Sequence, residues 1–227
     1  MHMGNCAEVL AKEKNYTRKE QDSFTIESYR RSMEAIKNGS FRDEIVAVEI
    51  PQKKGDAVII DTDEEPSRGK MDKIDKLHPA FDKAGTITAA NSSTINDGAA
   101  ALTVISIEKA DKLGIQPICR IIKHSSIAHE PINFTTAPGK AITKVLKKSG
   151  LSIEDIDLFE INEAFSNVTL AAMREHCIPH DQVNINGGAV SLGHPIGASG
   201  ARILVTLIAA LQRKQKKRGL ATLCIGG

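Results

Sequence analysis

Apolar positions fall into two regimes along the chain. Up to residue 95 they recur at helical spacing inside long charged stretches; from residue 96 they gather into short runs separated by glycines. Residues 7–35 carry the helical period, with i,i+4 charge pairs such as Glu27 and Arg31, and Asn38-Gly39 is a usual helix ending. Ile45, Val46, Val48 and Ile50 predict a strand over 43–50, stopped by Pro51, and residues 61–76 read as a charged surface loop. In the second regime, strands are predicted over 100–106, 118–124, 157–161 and 220–225. Helices are predicted over 108–113, 139–148, 164–176 and 197–211. Such alternation predicts a layered α/β fold with helices packed on a mixed sheet. The division is 1–95, an irregular loop-bearing region, and 96–227, a compact α/β domain.

Charge narrows the function. Lys plus Arg total 30 against 28 Asp plus Glu, a formal +2, which supplies no field to attract nucleic acid or an anionic membrane. Tryptophan is absent and there are two Tyr and six Phe, so base stacking on aromatic platforms is disfavoured as well. The expected partner is a small molecule. No apolar run approaches the roughly 20 residues that span a bilayer, and the first residues show neither a signal nor a transit pattern. Cys6, Cys119, Cys177 and Cys224 fit no zinc spacing and no disulfide framework, and a reducing compartment is expected. The basic run Arg213, Lys214, Lys216, Lys217, Arg218 closes a helix, where cations suit the negative end of the dipole; a solvated helix end is expected.

Three constellations carry candidate chemistry. Residues 186–200, from Asn186 to Gly200, hold five glycines around His194, wedged between Gly193 and Pro195. Such a turn lets backbone approach a ligand and aims an imidazole at a cavity; a tight strand-to-helix turn with an incidental histidine explains it equally well. Cys224-Ile225-Gly226-Gly227 can present a thiol to a cleft beside backbone N–H groups, although a lone cysteine at a strand end is more often a small buried hydrophobe. Glu160-Ile161-Asn162-Glu163-Ala164-Phe165 sets two carboxylates and an amide where a strand gives way to a helix. There, Glu163 complementing the dipole and Asn162 capping the helix account for the residues as well as catalysis does.

Taken together, in this order and spacing, the three constellations resemble the thiolase family. Met3-Gly4 with Cys6-Ala7-Glu8, the stretch Gly85-Thr86-Ile87-Thr88-Ala89-Ala90-Asn91, and Asn96-Asp97-Gly98-Ala99 carry the resemblance across the rest of the chain. It is greatest to the short-chain acetoacetyl-CoA thiolases, and Ala90-Asn91 and Glu130-Pro131-Ile132 lean toward their mitochondrial branch. The resemblance implies a thiolase-like α/β fold, with a loop domain over 1–95 and a C-terminal domain over 96–227 that lacks its last strand. It also implies an acyltransferase running a reversible Claisen condensation of two acetyl-CoA to acetoacetyl-CoA and CoA. Cys224 matches the cysteine that takes the α-proton, and His194 the histidine that activates the nucleophile and helps form an oxyanion hole. Asn162 matches the amide that holds a water in that hole, and Gly226 a glycine whose N–H serves a second one.

For the CoA groove the matching positions are Leu77, Ala80, Phe81, Ala89, Ser93, Ala164 and Phe165, with His2 and Met3 near the pantetheine end and Phe134 closing the acyl pocket. Phe81 and Phe165 read equally as core aromatics. Arg68 is the sole arginine in the 61–76 loop for the CoA phosphate. Coenzyme A and acetyl-CoA are implied as substrates, with no permanently bound cofactor and no metal. The potassium-activated branch has a tyrosine where Pro66 follows Asp63-Glu64-Glu65, which argues against a potassium site. No cysteine lies in the nucleophile's context, so the acyl-accepting thiol belongs outside these residues and the chain alone is expected to be inactive. The whole protein is expected to be a mitochondrial homo-oligomer, with a cytoplasmic place as the alternative. The rival functions are a non-catalytic CoA-binding or subunit-pairing fragment, and a phosphate-binding module built on the Gly-rich turn.

Overall fold

The computed structural model describes residues 1–225. It opens with two helices, α1 (Met3–Glu13) and α2 (Arg18–Lys37), where the apolar period predicts one. The period runs on across the break, but the backbone does not: Asn15 takes φ +54°, and Thr17 starts α2 with a reciprocal cap. The Thr17 hydroxyl accepts from the Glu20 N–H at 3.2 Å, while the Thr17 N–H donates to the Glu20 carboxylate at 2.8 Å. Helix α2 ends at Asn38 and Gly39, as expected.

The strand predicted over 43–50 shrinks to β1 (Val48–Ile50), which pairs with β2 (Val58–Ile60) in an antiparallel hairpin. All six paired residues are exposed, so the hairpin adds nothing to the core. The 61–76 loop contains a short helix, α3 (Glu65–Arg68), and a 3-10 turn, Met71–Lys76. The Arg18 guanidinium fastens this loop to α2 by donating to the carbonyls of Ile74 and Leu77 at 2.7 and 2.9 Å.

Helix α4 (Ile107–Leu113) follows, but the apolar runs on either side of it, 100–106 and 118–124, form no strand. Val104, Ile118 and Ile121 are 75%, 72% and 64% exposed. Strand propensity needs a hydrogen-bonding neighbour to become a strand, and none of the described residues offers one.

The layered part lies beyond. Helix α5 (Ala137–Ser149) precedes β3 (Leu158–Ile161), which is buried throughout. After β3 come α6 (Ser166–His176), the short α7 (Ala189–Leu192) and α8 (Ser199–Arg213). Strand β4 (Gly219–Thr222) then lies parallel to β3, with Leu158 opposite Gly219 and Ile161 opposite Thr222. The expected mixed sheet is therefore two separate pairs, one antiparallel and one parallel, and the strand predicted over 220–225 ends at Thr222.

Ile142 and Leu146 of α5, Phe159 and Ile161 of β3, Ala172 of α6 and Leu220 of β4 form the main core; Leu207 and Ala210 of α8 cover Leu158. The basic run after α8 is not wholly solvated. Arg213 donates to the Ser40 carbonyl at 2.6 Å and to Asn186 at 3.1 Å, which ties the end of α8 to the end of α2. No helix among the described residues is long and apolar enough to cross a membrane.

Candidate active site

The site grows from the C-terminal ends of two adjacent parallel strands. Asn162 follows β3, and its N–H donates to the Thr222 carbonyl at 3.0 Å, extending the ladder by one bond. Cys224 leaves β4 two residues after Thr222, so sheet register alone brings residues 62 positions apart to one edge. His194 arrives from the turn between α7 and α8. The segment 91–96 holds both arms in place: Ser93 donates from its N–H and its hydroxyl to the Ala164 carbonyl, each at 3.0 Å. One residue on, the Thr94 carbonyl accepts from the His194 N–H at 2.9 Å. Gly193 makes that approach possible, since it sits at φ +91° and a Cβ there would come within 2.3 Å of Asn96 Oδ1.

The imidazole of His194 is contacted at both nitrogens. Nε2 lies 3.4 Å from Asn162 Nδ2 and Nδ1 lies 2.6 Å from Ser199 Oγ. Asn162 Oδ1 is buried and has no hydrogen-bond partner among the described residues, so an acceptor is aimed beside the ring. Burial, reinforced by the positive charge of Arg202, holds His194 below its ordinary pKa and favours the neutral ring that can take a proton. Cys224 packs with Ala7, Ile87, Ala164, Phe165 and Val168, and burial pushes its thiol up to about 11.

Neither carboxylate of the third constellation faces the imidazole by a direct bond, and Asn162 is no helix cap. The N-cap position of α6 is Phe165, with no side-chain bond. Glu163 instead accepts from Ser28 Oγ and Asn184 Nδ2 at 2.8 Å each and from the Val190 N–H at 3.1 Å. It thereby braces α2, the turn before α7 and α7 itself behind the site. Glu160 is fully buried, and loss of solvent drives its carboxyl up to about 8.

A wall of rings flanks Cys224. Phe81 stacks on His2 at 4.9 Å and meets Phe165 edge-on at 6.2 Å, and both Phe81 and Phe134 pack against the Cys224 cluster. Gly4 gives Phe81 its seat, because a Cβ there would fall 2.3 Å from the ring.

Residues 1–108 match the sequence pattern described as "Thiolase, N-terminal domain", and residues 115–227 match "Thiolase, C-terminal domain". The chain belongs to the thiolase family. It is 52% identical over 227 residues to an acetyl-CoA acetyltransferase of Yarrowia lipolytica, covering 100% of this chain and 56% of that one. It is 50% identical over 228 residues to the "Acetyl-CoA acetyltransferase, mitochondrial" of Bos taurus, covering 100% of this chain and 54% of the relative. Among solved structures, the Bacillus anthracis acetyl-CoA acetyltransferase superposes with TM-score 0.96 at 42% identity, over 100% of this chain and 58% of that one. The Acat5 thiolase of Ascaris suum in complex with coenzyme A superposes with TM-score 0.90 at 45% identity, over 99% and 57%. The chain thus spans just over half the length of the thiolases it matches.

The remaining thiolase-matched positions distribute unevenly. His2, Phe81, Phe134, Ala164 and Phe165 gather on the Cys224 side, and Ser93 bonds directly to Ala164. Met3 and Leu77 are 45% and 37% exposed, while Ala80 bonds through its N–H to the Ile87 carbonyl at 2.8 Å and Ala89 is exposed next to it. Arg68 sits on α3, 65% exposed and paired with Glu64 at 2.6 Å. Gly226 lies outside the described residues. Two open clefts of about 370 and 480 Å³ lie elsewhere, the first beside Phe24 and His180 and the second beside Ile121 and Lys148; neither reaches Asn162 or His194. Sequence reasoning missed Ser199, Thr94 and Asn96, all of which touch His194 or its backbone; the signal was proximity to the Gly-His-Pro turn for the first and nothing local for the others.

Proposed function

We propose that this chain supplies the base and oxyanion side of a thiolase centre that converts two acetyl-CoA to acetoacetyl-CoA and CoA, reversibly. The meeting of Asn162 and His194 at the strand edge from which Cys224 emerges carries the reading. In this scheme the acyl-accepting thiol comes from outside the 227 residues, and its proton passes to His194 Nε2. The imidazolium so formed carries an Nε2–H that can be given to an oxyanion, with the Asn162 amide beside it. As the first acetyl group moves to the acyl-accepting thiol, the departing CoA sulfur takes the Cys224 proton, and the Cys224 thiolate then removes the α-proton of a second acetyl-CoA. The resulting enolate carbon then attacks the acyl thioester, forming the C–C bond and expelling the nucleophile as a thiolate. A base whose conjugate thiol has a pKa near 11 is strong once ionised, which suits a weakly acidic thioester α-proton. Donors prearranged toward the enolate oxygen contribute about 3 kcal/mol each.

The aromatic wall formed by Phe81, Phe134 and Phe165 supports a narrow groove for the pantetheine chain of CoA. The Ascaris relative, whose structure holds coenzyme A, supports the same ligand. None of the four cysteines supplies the missing nucleophile in this scheme. Cys119 and Cys177 are exposed, and Cys177 ends α6, about 18 Å along its axis from the Phe165 end. Cys6 is buried on α1. The chain alone is therefore proposed to be inactive. A mitochondrial, homo-oligomeric whole protein remains the accompanying reading, supported for compartment by the bovine relative.

One observation favours a second reading, a fragment whose role is to pair with another subunit: Val104, Ile118 and Ile121 stand exposed. Calorimetry of the 227-residue chain with CoA, joined to an assay with acetoacetyl-CoA and CoA, decides between them. Saturable CoA binding without turnover supports the proposal. Turnover abolished by Cys224→Ala would show that a cysteine of this chain acts as nucleophile, and absence of CoA binding would favour the pairing role.

A further inference from the structure

We infer that Ser199 is a positioning residue that locks His194 in the Nδ1–H tautomer, leaving the Nε2 lone pair free toward Asn162. Two independent contacts lead to that assignment. On one side, the Ser199 hydroxyl donates to the Pro195 carbonyl at 3.1 Å. With its single proton directed there, its oxygen, 2.6 Å from Nδ1, accepts from a ring nitrogen that carries the hydrogen. On the other side, Nε2 faces the amide nitrogen of Asn162 at 3.4 Å, and an amide nitrogen only donates. Both ends of the ring call for the same proton placement.

Local structure makes the lock rigid. Ser199 is the first residue of α8 and is fully buried. The N–H groups of Ala198 and Ser199 both donate to the Pro195 carbonyl at 2.8 Å, which folds the Pro195–Ser199 turn back under the ring. The His194 backbone is pinned in turn by Thr94. The ring cannot rotate away from Ser199 without breaking a buried hydroxyl's bonds. Free histidine favours Nε2–H, so the turn holds the imidazole in its less favoured form.

The consequence rests on the thiolase reading, because only there is a bare Nε2 needed. A ring that starts as Nδ1–H can accept the nucleophile's proton at Nε2 and then present that hydrogen to an oxyanion. An Nε2–H ring could donate but could not activate the thiol. The wrong tautomer beside a nucleophile disables the analogous histidine of serine proteases.

The test is spectroscopic and uses the 227-residue chain. Long-range ¹H–¹⁵N correlation, with the ring assigned through His194→Gln, reads which nitrogen carries the hydrogen at a pH above the ring's titration. The expected result is a protonated Nδ1 and a bare Nε2. Ser199→Ala should move the tautomer ratio about five- to tenfold toward Nε2–H, the scale of one hydrogen bond. Ser199→Thr, which keeps the hydroxyl, should restore it, with the backbone fingerprint unchanged in all variants. An Nε2–H ring in the wild-type chain overturns the inference whether or not any variant folds, and so does a ratio unmoved in folded Ser199→Ala. A parallel CoA titration separates the two ideas: a bare Nε2 without CoA binding keeps the tautomer lock and removes the thiolase use of it.

Discussion

The side-chain amide of Asn162 meets the imidazole of His194 at 3.4 Å across 32 residues of sequence. One partner rides on the end of a buried strand and the other on a glycine-bearing turn, and residues 91–96 are bonded to Ala164, just beyond the first, and to the second. The pair is therefore fixed by tertiary contacts, with no local element in common.

The proposed thiolase scheme divides labour between His194 and Cys224. Grafted into the Yarrowia relative in place of the matching 56%, the chain with Cys224→Ser should still load an acetyl group from acetyl-CoA yet lose condensation. His194→Ala should lower both steps by about a hundredfold or more, because in that scheme it serves both the nucleophile and the oxyanion. Radiolabelled acetyl incorporation and acetoacetyl-CoA formation measure the two steps separately. Equal loss of both in Cys224→Ser would contradict the division.

The wall beside Cys224 depends on a missing side chain. Gly4→Ala would place a methyl 2.3 Å from the Phe81 ring, and Phe81 can yield only by leaving His2 or Phe165. The expected cost is about 1–3 kcal/mol in chemical denaturation. A weakened affinity for CoA should accompany it in calorimetry. A neutral Gly4→Ala with unaltered CoA binding would separate Phe81 from the groove.

Glu160 predicts a pH dependence with a definite sign. Burial raises its carboxyl from 4.5 to about 8, with Arg202 opposing and Glu163 and Glu44 adding to the rise. Between those values the unfolded chain has released the proton while the folded chain keeps it. Stability associated with this group is thus full below 4.5 and is lost as pH climbs through about 8. Glu160→Gln stays neutral throughout. Its stability relative to wild type should be nearly level at the acid end of the window and exceed it by a few kcal/mol at the alkaline end. Urea midpoints across the window supply the test; a difference independent of pH would mean that Glu160 is ionised in the fold.

The unpaired runs at 100–106 and 118–124 should make the isolated chain self-associate. Val104→Lys with Ile121→Lys replaces two exposed apolar residues and should cost the fold within about 0.5 kcal/mol. Sedimentation velocity across a concentration series should show association in the wild-type chain and markedly less in the double variant. Unchanged association would place the sticky surface elsewhere, with the exposed β1–β2 hairpin as the next region to alter.

Elements with strong local punctuation were legible in the sequence. Helix α5, strand β3 and helices α6 and α8 fall within two residues of their predicted bounds, because glycine, proline and an abrupt change of period mark them. The break at Asn15 was missed because the apolar period continues through it and only the Thr17–Glu20 cap betrays it. The failed strands at 100–106 and 118–124 show the converse: β-propensity describes a willingness to pair and says nothing about where the partner is. Among the site residues, His194 announced itself by the glycines around it. Glu163 did not reveal its bracing role, since Ser28, Asn184 and Val190 converge on it from three separate elements.

The parallel pairing of β3 with β4 sets an order of events during synthesis. Leu158 cannot meet Gly219 until three helices and the glycine turn have been made, so the pairing is a non-local one. A nascent chain emerging N-terminus first exposes Asn162 and His194 before Cys224 exists. The Cys224 thiol thus joins the imidazole and amide only after β4 has been made. A chain without β4 would carry the histidine turn without Cys224, the residue proposed as its base, and the proposed chemistry would wait for the layered part.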